Sequence, residues 1–383
     1  MKIIVVGGAG DMGQVACETV AIDPVVTQVI IADRDIDRAR ALADKIGSKA
    51  SAISLDITDK DSLLDAVSKA DIVLNTVGPF YLYGPPVLEA AIAAGKHYAD
   101  IADDWEPTLA MLDLDEAARD AGITAVIGIG ASPGISNLLA SAAHAELDTV
   151  ESLHTVWRGG SGVPPVPATP EEAQPSAAID HWIHNLAEPI RLWRDGRYEM
   201  AEALETFEIV YPGIGPGQVW TCGHPEPITL PRAFPDITNS YNIMFARPGL
   251  IEAARAVRDR VRDGEIDVAQ GSKEFLLSPG RRWPEAGEIP AFPGVFAYAE
   301  GTKDGAATRV AVMSHVLPEG EMGEITCVPL AIAAGMLARG EALNTGVHAP
   351  EGALDPGIFF ERLEPFAADL DGKPRLEVSI EAM

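Results

Sequence analysis

The chain has 383 residues, of which 47% are hydrophobic, enough for two globular domains with cores of their own. Its formal net charge of −28 predicts an anionic surface and argues against nucleic acid or an anionic membrane as a partner. No apolar run approaches the roughly 20 residues of a membrane span, and a strand begins at once, so we expect a cytoplasmic protein without a signal peptide. The three cysteines are far apart and follow no metal-ligand spacing, so we expect neither a disulfide framework nor a metal site.

The most informative pattern is a glycine-rich turn between a short strand and a helix. The apolar segment Lys2–Val6 runs into Gly8, Gly10 and Gly13, which stand in G-x-G-x-x-G spacing. We expect Gly8 to allow a tight turn and Gly10 to let the backbone approach a pyrophosphate. Gly13 is expected to let the helix pack closely against the strand. The spacing therefore predicts a dinucleotide-binding turn, although a glycine turn of another α/β protein is the alternative.

The helix start and the end of the second strand complete this motif. The N–H groups of the first helical turn, those of Asp11 and Met12 included, are oriented to bind a pyrophosphate. Asp33 follows Gly13 by twenty residues, where a carboxylate can accept hydrogen bonds from both hydroxyls of an adenosine ribose. That carboxylate favours NAD as the cofactor. Arg34 keeps NADP open, because an arginine can pair with a 2′-phosphate.

Strand and helix patterns then alternate, which predicts a parallel sheet with right-handed crossovers. After the first strand we expect strands over residues 28–32, 52–55, 71–76, 97–101 and 124–129. Helices are expected over residues 12–21, 60–69, 85–94 and 107–121, with a loop over residues 78–84. Six strands are enough for a complete Rossmann domain, which we place at residues 1–130.

The pattern changes after Gly130, which places a second domain at residues 131–324. Residues 130–140 open a helix rich in small side chains, and residues 325–338 form an alanine-rich helix. Residues 295–299 and 308–315 alternate around Lys303, Asp304 and Gly305, a pattern typical of a hairpin. We therefore predict an α/β protein, a Rossmann domain plus an α+β domain with a mostly antiparallel sheet.

Four stretches carry a likeness to a known family: VVGGAGDMG (5–13), NTVGPFYLYGPPVLEAAIAAGKHYADIADD (75–104), GASPGISNLLA (130–140) and GHPEPITLPRAFP (223–235). With them the chain resembles the saccharopine dehydrogenase-like family, and within it most closely the lysine 6-dehydrogenase branch. VPLAIAAGMLARGE and GVHAPEGALDP, near the C-terminus, are similar to the family's ending.

The resemblance implies an NAD- or NADP-dependent enzyme that oxidises a C–N bond of an amino acid, or runs the reverse reductive amination. It implies that residues 325–383 complete the Rossmann domain. It also implies that the second domain holds the substrate and makes contacts in a homodimer or homotetramer.

Further cofactor contacts are expected after the third and fourth strands. Gly78, Pro79 and Phe80 should pass close to the nicotinamide ribose, although a glycine-proline turn fits the same residues without the resemblance. Asn75 is placed to touch the ribose diphosphate. Asp56 is placed to meet the adenine amino group.

Oxidation of an amine needs a neutral amine, and a base beside it can supply one and later activate water. Asp100 and Asp104 lie on or near the carboxyl end of one strand, where ligands bind in such sheets. Either is our candidate for the base or counter-ion. Tyr98 shares a face with Asp100 by period two and would orient the amine through its hydroxyl. A role as helix cap is equally open for Asp104.

An amino-acid substrate also brings a carboxylate, and 29 basic residues stand against 57 acidic ones. Arg232, inside TLPRAFP, is our first candidate for a bidentate contact with it, and Arg158 is the second. Asn137 lies at a helix start that could hold an anion. Tyr241 is a further candidate for the substrate site.

Two other function classes stay open. Related folds use tightly held NAD for net non-redox chemistry, as in enzymes of the homospermidine synthase type. A non-catalytic dinucleotide-binding regulator would bind the cofactor without turnover. The sequence leaves open which amino acid or amine is the substrate.

Overall fold

The structure is a computed structural model that describes residues 1–160, 166–167, 169–175, 177–282 and 289–383. The chain divides into two compact units, residues 1–142 with 314–377 and residues 143–313 with 378–383. Among the described helices, none has both the length and the apolarity that a membrane span requires.

The N-terminal part of the chain alternates strands and helices. Its elements are β1 (Lys2–Val6), α1 (Asp11–Ile22), β2 (Gln28–Asp33), α2 (Ile36–Ile46), β3 (Ala50–Ser54), α3 (Lys60–Val67), β4 (Ile72–Asn75), α4 (Phe80–Ala94), β5 (His97–Asp100), α5 (Trp105–Leu112), α6 (Asp115–Asp120), β6 (Thr124–Val126) and α7 (Ile135–His144).

The middle of the chain is richer in strands. Its elements are β7 (Thr149–Arg158), α8 (Ala177–Ala187), β8 (Ile190–Arg194), β9 (Arg197–Ala201), β10 (Thr206–Tyr211), β11 (Gly215–Thr221), α9 (Glu226–Ala233), β12 (Asn242–Phe245), α10 (Pro248–Arg262), α11 (Val268–Leu277), β13 (Val295–Lys303) and β14 (Ala306–Ser314). The remaining elements are α12 (Met322–Ala338), β15 (Gly346–His348), α13 (Pro350–Ala353), α14 (Pro356–Leu363) and β16 (Leu376–Ala382).

The first unit is built on a parallel sheet in the order β15-β6-β5-β4-β1-β2-β3. Strands that are covered on both faces favour apolar side chains, and residues 3–6 of β1 are apolar and completely buried. The order reverses between β1 and β4, which is where a doubly wound sheet opens a crevice for a dinucleotide. The predicted Rossmann fold is confirmed, with β15 from the C-terminal part as a seventh strand.

The second unit contains a sheet in the order β10-β11-β12-β7-β13-β14-β16. Of its recorded pairings, β12 with β7 is parallel and the others are antiparallel. The predicted hairpin is β13–β14, in which Lys303 pairs with Ala306. Asp304 and Gly305 both have positive φ, at 52° and 77°, as a two-residue type I′ turn requires. The predicted mostly antiparallel sheet is therefore confirmed.

The roles of the glycines after β1 differ from those predicted. The left-handed residue of the turn is Gly7, with φ of +79°, and not Gly8. Gly8 is needed for packing, because an added Cβ would lie 2.9 Å from Ile31 Cγ2. At Gly13 an added Cβ would lie only 2.1 Å from the Gly7 carbonyl oxygen. The close approach predicted for Gly13 is confirmed, but its partner is the turn rather than the strand.

Three predicted boundaries were wrong. The expected loop over residues 78–84 is helical from Phe80 onward, because Phe80 is buried and Gly84 packs against Met111. The helix expected over residues 107–121 is two helices, α5 and α6. The strand expected to reach residue 129 ends at Val126, since Gly128 turns the chain with φ of +69°.

We expect Gly13→Ala to lower the free energy of unfolding by roughly 2 kcal/mol, because the methyl group forces the helix away from the turn. Urea denaturation followed by circular dichroism measures this change. Gly294→Ala is the control: its added Cβ meets nothing within 4 Å and its φ is not positive. Equal stabilities of the two variants would contradict the packing role of Gly13.

Candidate functional site

The turn between β1 and α1 exposes backbone where a pyrophosphate would bind. Gly10 caps α1 without a side chain, and its N–H donates to the Gly7 carbonyl oxygen at 3.0 Å. The first N–H groups of a helix have no partner within the helix and carry positive partial charge. Those of Asp11 and Met12 belong to this set, while the Asp11 carboxylate is exposed and lies 3.5 Å from Arg38. The predicted phosphate contacts thus fall on the backbone of α1.

Asp33 is held against this turn by two backbone hydrogen bonds. Its Oδ2 accepts from the N–H of Ala9 at 3.0 Å and its Oδ1 from the N–H of Asp35 at 2.9 Å. The carboxylate at the end of β2 is therefore fixed beside the glycine turn. Arg34, which follows it, is exposed. The residues present fit a nicotinamide dinucleotide, because glycine backbone with accessible N–H groups follows β1 and a fixed carboxylate ends β2.

The residues predicted after β3 and β4 lie at the same edge of the sheet. Asp56 is exposed, and hydrogen bonds from the hydroxyl and the N–H of Thr58 lower the pKa of its carboxyl. Gly78 is open, since an added Cβ would meet nothing within 4 Å, and Pro79 caps α4. Phe80, expected to pass close to the nicotinamide ribose, is 8% exposed and starts α4. These cofactor contacts stay predictions.

Asn75, Tyr98 and Asp100 form a hydrogen-bonded row at the ends of β4 and β5. The Tyr98 hydroxyl donates to Asp100 Oδ2 at 2.8 Å, and Asn75 Nδ2 donates to the Tyr98 hydroxyl oxygen at 3.2 Å. Asp100 Oδ1 accepts from the N–H groups of Gly128 at 2.7 Å and Ala102 at 3.1 Å. Asn75, Tyr98 and Asp100 are each 0% exposed. The shared face of Tyr98 and Asp100 is confirmed.

Burial changes the acid–base behaviour of this row. It raises the pKa of Asp100 to about 6, against the hydrogen bonds from Gly128, Ala102 and Tyr98, which lower it. The pKa of Tyr98 is raised well above its usual value by burial and by the adjacent carboxylate. Because all these bonds go to the protein, they favour a structural role for the pair, and the catalytic role remains a prediction.

Asp104, the other predicted base, stands at the N-cap position of α5. It is 5% exposed, and its side chain accepts no capping hydrogen bond. Its main-chain carbonyl accepts from the Thr108 hydroxyl at 2.7 Å. The residue therefore occupies the position of a cap without acting as a side-chain cap.

Asn137, which was predicted as an anion contact, forms hydrogen bonds at the start of α7. Asn137 Oδ1 accepts from the Gly134 N–H at 2.8 Å, and its Nδ2 donates to Glu351 Oε2 at 2.8 Å. Asn137 is completely buried and Glu351 is 9% exposed. The side chain therefore holds the glycine turn and α13 together, and substrate contact stays a prediction.

The predicted substrate residues of the second unit lie on separate elements. Arg158 ends β7, Arg232 lies in the last turn of α9, and both are exposed. The Tyr241 hydroxyl accepts from Arg194 Nε at 3.1 Å. Arg194, which the sequence analysis missed, also forms ion pairs with two glutamates of the same unit. Nothing in the charge pattern of β8 distinguishes Arg194 from its neighbours.

A polar cluster lies between β7, β12 and the start of α9. Trp157 Nε1 donates to Asn242 Oδ1 at 2.9 Å, and Asn242 Nδ2 donates to both Thr155 Oγ1 and Glu226 Oε1 at 2.9 Å. His224 stacks on Trp157 with ring centroids 5.5 Å apart. Asn242 and Glu226 are each 0% exposed, so these hydrogen bonds join β7, β12 and α9.

Three residues that shape the first unit's site were missed from sequence: Gly7, Gly128 and Glu351. The double glycine of VVGGAG could have pointed to Gly7. Gly128 carries the signal of a glycine after a buried strand. Glu351 bonds to a residue 214 positions away, and no local pattern indicates such a contact.

Comparison with known proteins adds to this geometry. Residues 3–126 match the family model described as Saccharopine dehydrogenase NADP binding domain. The chain is 24% identical over 393 residues to carboxyaminopropylagmatine dehydrogenase of Synechocystis sp., with 95% of each chain covered. It is 28% identical over 310 residues to saccharopine dehydrogenase [NADP(+), L-glutamate-forming] of Saccharomyces cerevisiae, covering 76% of this chain and 61% of that protein.

Among solved structures, the apo saccharopine dehydrogenase (L-Glu forming) from Saccharomyces cerevisiae is similar over 100% of this chain and 99% of its own. The TM-score is 0.64 and the identity 16%. At that identity the likeness concerns the fold.

We expect Asp100→Asn to change the pH dependence of stability. A carboxyl whose pKa is raised on folding stabilises the protein below about pH 4 and loses that contribution as the pH rises through about 6. The free energy of unfolding of Asp100→Asn relative to the parent should therefore rise by about 2 kcal/mol between about pH 4.5 and 7.5.

Denaturant titrations at several pH values measure this difference. Any effect of the substitution on the free energy of unfolding that does not depend on pH cancels when two pH values are compared. Asp56→Asn is the control, because the pKa of that exposed carboxyl is lowered and its contribution is lost as the pH falls. A difference for Asp100→Asn that does not vary with pH would contradict the buried-carboxyl account.

Proposed function

The N-terminal domain of this chain belongs to the saccharopine dehydrogenase NADP-binding family, and on that premise we propose an NAD(P)-dependent dehydrogenase that acts on a C–N bond of an amino acid or amine. The observation that carries the proposal is the glycine turn with Asp33 fixed beside it. Similarity to carboxyaminopropylagmatine dehydrogenase over 95% of both chains supports an amine as the substrate.

A bound nicotinamide dinucleotide supplies the hydride acceptor. The backbone at Gly10 and the first turn of α1 would bind its pyrophosphate, and Asp33 would accept hydrogen bonds from its adenosine ribose. Asp104 is our proposed base for the amine, because the Asp100 carboxylate already accepts three hydrogen bonds within the protein. With the amine neutral, the carbon that bears it could pass a hydride to the nicotinamide ring. Water would then convert the imine to a carbonyl group with release of ammonia or an amine.

On the substrate side we propose that Arg232 pairs with the carboxylate of an amino acid. Its exposure in the last turn of α9 leaves its guanidinium accessible in a strongly acidic chain. The lysine 6-dehydrogenase type of reaction is the finer proposal, and the resemblance of residues 75–104 and 223–235 to that branch supports it.

We propose NAD as the preferred cofactor and expect Asp33→Ser to shift the preference toward NADP. A carboxylate held beside the ribose repels a 2′-phosphate. The repulsion between two neighbouring negative charges costs about 1–3 kcal/mol at an intermediate dielectric. The ratio of the NADPH to the NADH dissociation constant should thus fall by roughly tenfold or more.

Fluorescence titration with NADH and NADPH gives this ratio directly. Asp61→Ser, which removes an exposed carboxylate from α3 of the same unit, is the control. An unchanged ratio of dissociation constants in Asp33→Ser would contradict the assignment of Asp33 to the ribose site.

Turnover is tested by following NADH or NADPH absorbance with purified protein, a panel of amino acids and diamines, and alkaline pH to keep the amine neutral. We expect one amino acid or amine to give turnover. If it carries a carboxylate, Arg232→Ala should raise its KM roughly tenfold, since a charge-assisted hydrogen bond is lost.

Arg247→Ala is the matched control, because Arg247 is an exposed arginine of the same unit at the cap of α10. Cofactor binding with no turnover across the panel would favour the non-redox synthase or the regulator instead.

A further inference from the structure

The row Asn75–Tyr98–Asp100 links three neighbouring strands where their carboxyl ends face the cofactor side of the sheet. Asn75 ends β4, Tyr98 and Asp100 belong to β5, and Asp100 receives the N–H of Gly128 just after β6. The Asp100 carbonyl also accepts from the Ile129 N–H at 2.8 Å. These three strands lie on one side of the β1–β4 crevice, and β2 and β3, with Asp33, lie on the other.

We propose that Asp100 is a positioning residue for the nicotinamide half of the cofactor site: its buried carboxylate fixes the chain after β4 and the chain after β6, and leaves the adenosine half unaffected. The inference rests on the proposed dehydrogenase function. It assigns Asp100 a role through other groups rather than direct proton transfer.

Burial is the first argument for this role. The side chains of Asn75, Tyr98 and Asp100 are all 0% exposed, and the Asp100 carboxylate receives three donors from within the unit. A base must come within hydrogen-bond distance of the proton that it removes. A carboxylate that is enclosed and used in this way acts by holding its donors in place.

The direction of the hydrogen bonds is the second argument. Asn75 donates to Tyr98, Tyr98 donates to Asp100, and the backbone of Gly128 and Ala102 donates to the same carboxylate. An ionised carboxylate is the acceptor at which all these bonds can end. An amide at position 100 would place a donor against the Tyr98 hydroxyl, which could then no longer donate to position 100.

The row connects to backbone on both sides. The Val77 N–H donates to Asn75 Oδ1 at 3.0 Å, and Val77 immediately precedes the open backbone of Gly78. On the other side, Gly128 has φ of +69°, and an added Cβ there would lie 2.9 Å from both the Ala102 carbonyl oxygen and Pro133 Cγ. A shift of Asp100 would therefore be felt at both loops.

The adenosine half depends on different bonds. Asp33 is held by Ala9 and Asp35, and Gly10 by Gly7, so that no residue of these bonds belongs to the row. The two halves can therefore be probed separately, with NADH for the complete site and with ADP for the adenosine half alone.

The experiment compares NADH and ADP binding to the parent protein, Asp100→Asn and Tyr98→Phe, by calorimetry and by the emission of bound NADH. For Asp100→Asn we expect roughly tenfold weaker NADH binding and an ADP affinity within about twofold of the parent. Its bound NADH should emit more like NADH in water. Tyr98→Phe should show the same pattern with a smaller loss, roughly threefold, because Gly128 and Ala102 keep their acceptor.

Asp120→Asn is the matched control, since it removes an exposed carboxylate from α6 of the same unit and should change neither affinity. Equal losses for both ligands, or none for NADH, would overturn the positioning role in either variant. Tyr98→Phe decides the matter if Asp100→Asn does not fold.

The result is separable from the proposed function. A parent protein that binds NADH but turns over no amine would contradict the dehydrogenase proposal. The positioning role would still be tested, because it depends only on the affinities of the variants for the two ligands. A parent protein that binds no NADH would overturn both.

Discussion

The approach of α1 to the turn after β1 is the contact on which the first unit depends. At Gly13 even one methyl group would lie 2.1 Å from a carbonyl oxygen of that turn, so the helix start and Gly7 share a space that admits only hydrogen. This contact aims the N–H groups of α1 at the carboxyl end of the sheet. It also brings the Ala9 N–H to the Asp33 carboxylate. The proposed phosphate and ribose contacts therefore both depend on one close approach between backbone atoms.

A second constraint acts across β4, β5 and β6. A carboxylate in a completely buried place is costly unless its oxygens are satisfied, and Asp100 is satisfied by one hydroxyl and two N–H groups. One of its donors, Gly128, lies 28 positions away, so the carboxylate joins the end of β5 to the chain after β6. The sheet thus has two differently built halves. One is shaped by glycine backbone and the other by a buried polar row.

The second unit offers recognition groups of a different kind. Trp157 of β7 donates to Asn242 of β12, Asn242 donates to Glu226 of α9, and Arg194 contacts Tyr241 and two glutamates. In the proposed function this unit would receive the substrate and the first unit the dinucleotide.

Local spacing and the periodicity of apolar residues were sufficient to predict the Rossmann domain, the glycine turn, Asp33 at the end of β2 and the β13–β14 hairpin. The alternation of side chains along a strand also placed Tyr98 and Asp100 on one face. Other features depend on tertiary contacts. Burial of Phe80 extended α4 over an expected loop, and Asn137 was turned toward Glu351, 214 positions away. A hydrogen bond from Gly128, 28 positions away, helped to make Asp100 an enclosed acceptor. The contacts of Asn137 and Asp100 with Glu351 and Gly128 join segments far apart in the chain, and no local pattern records them.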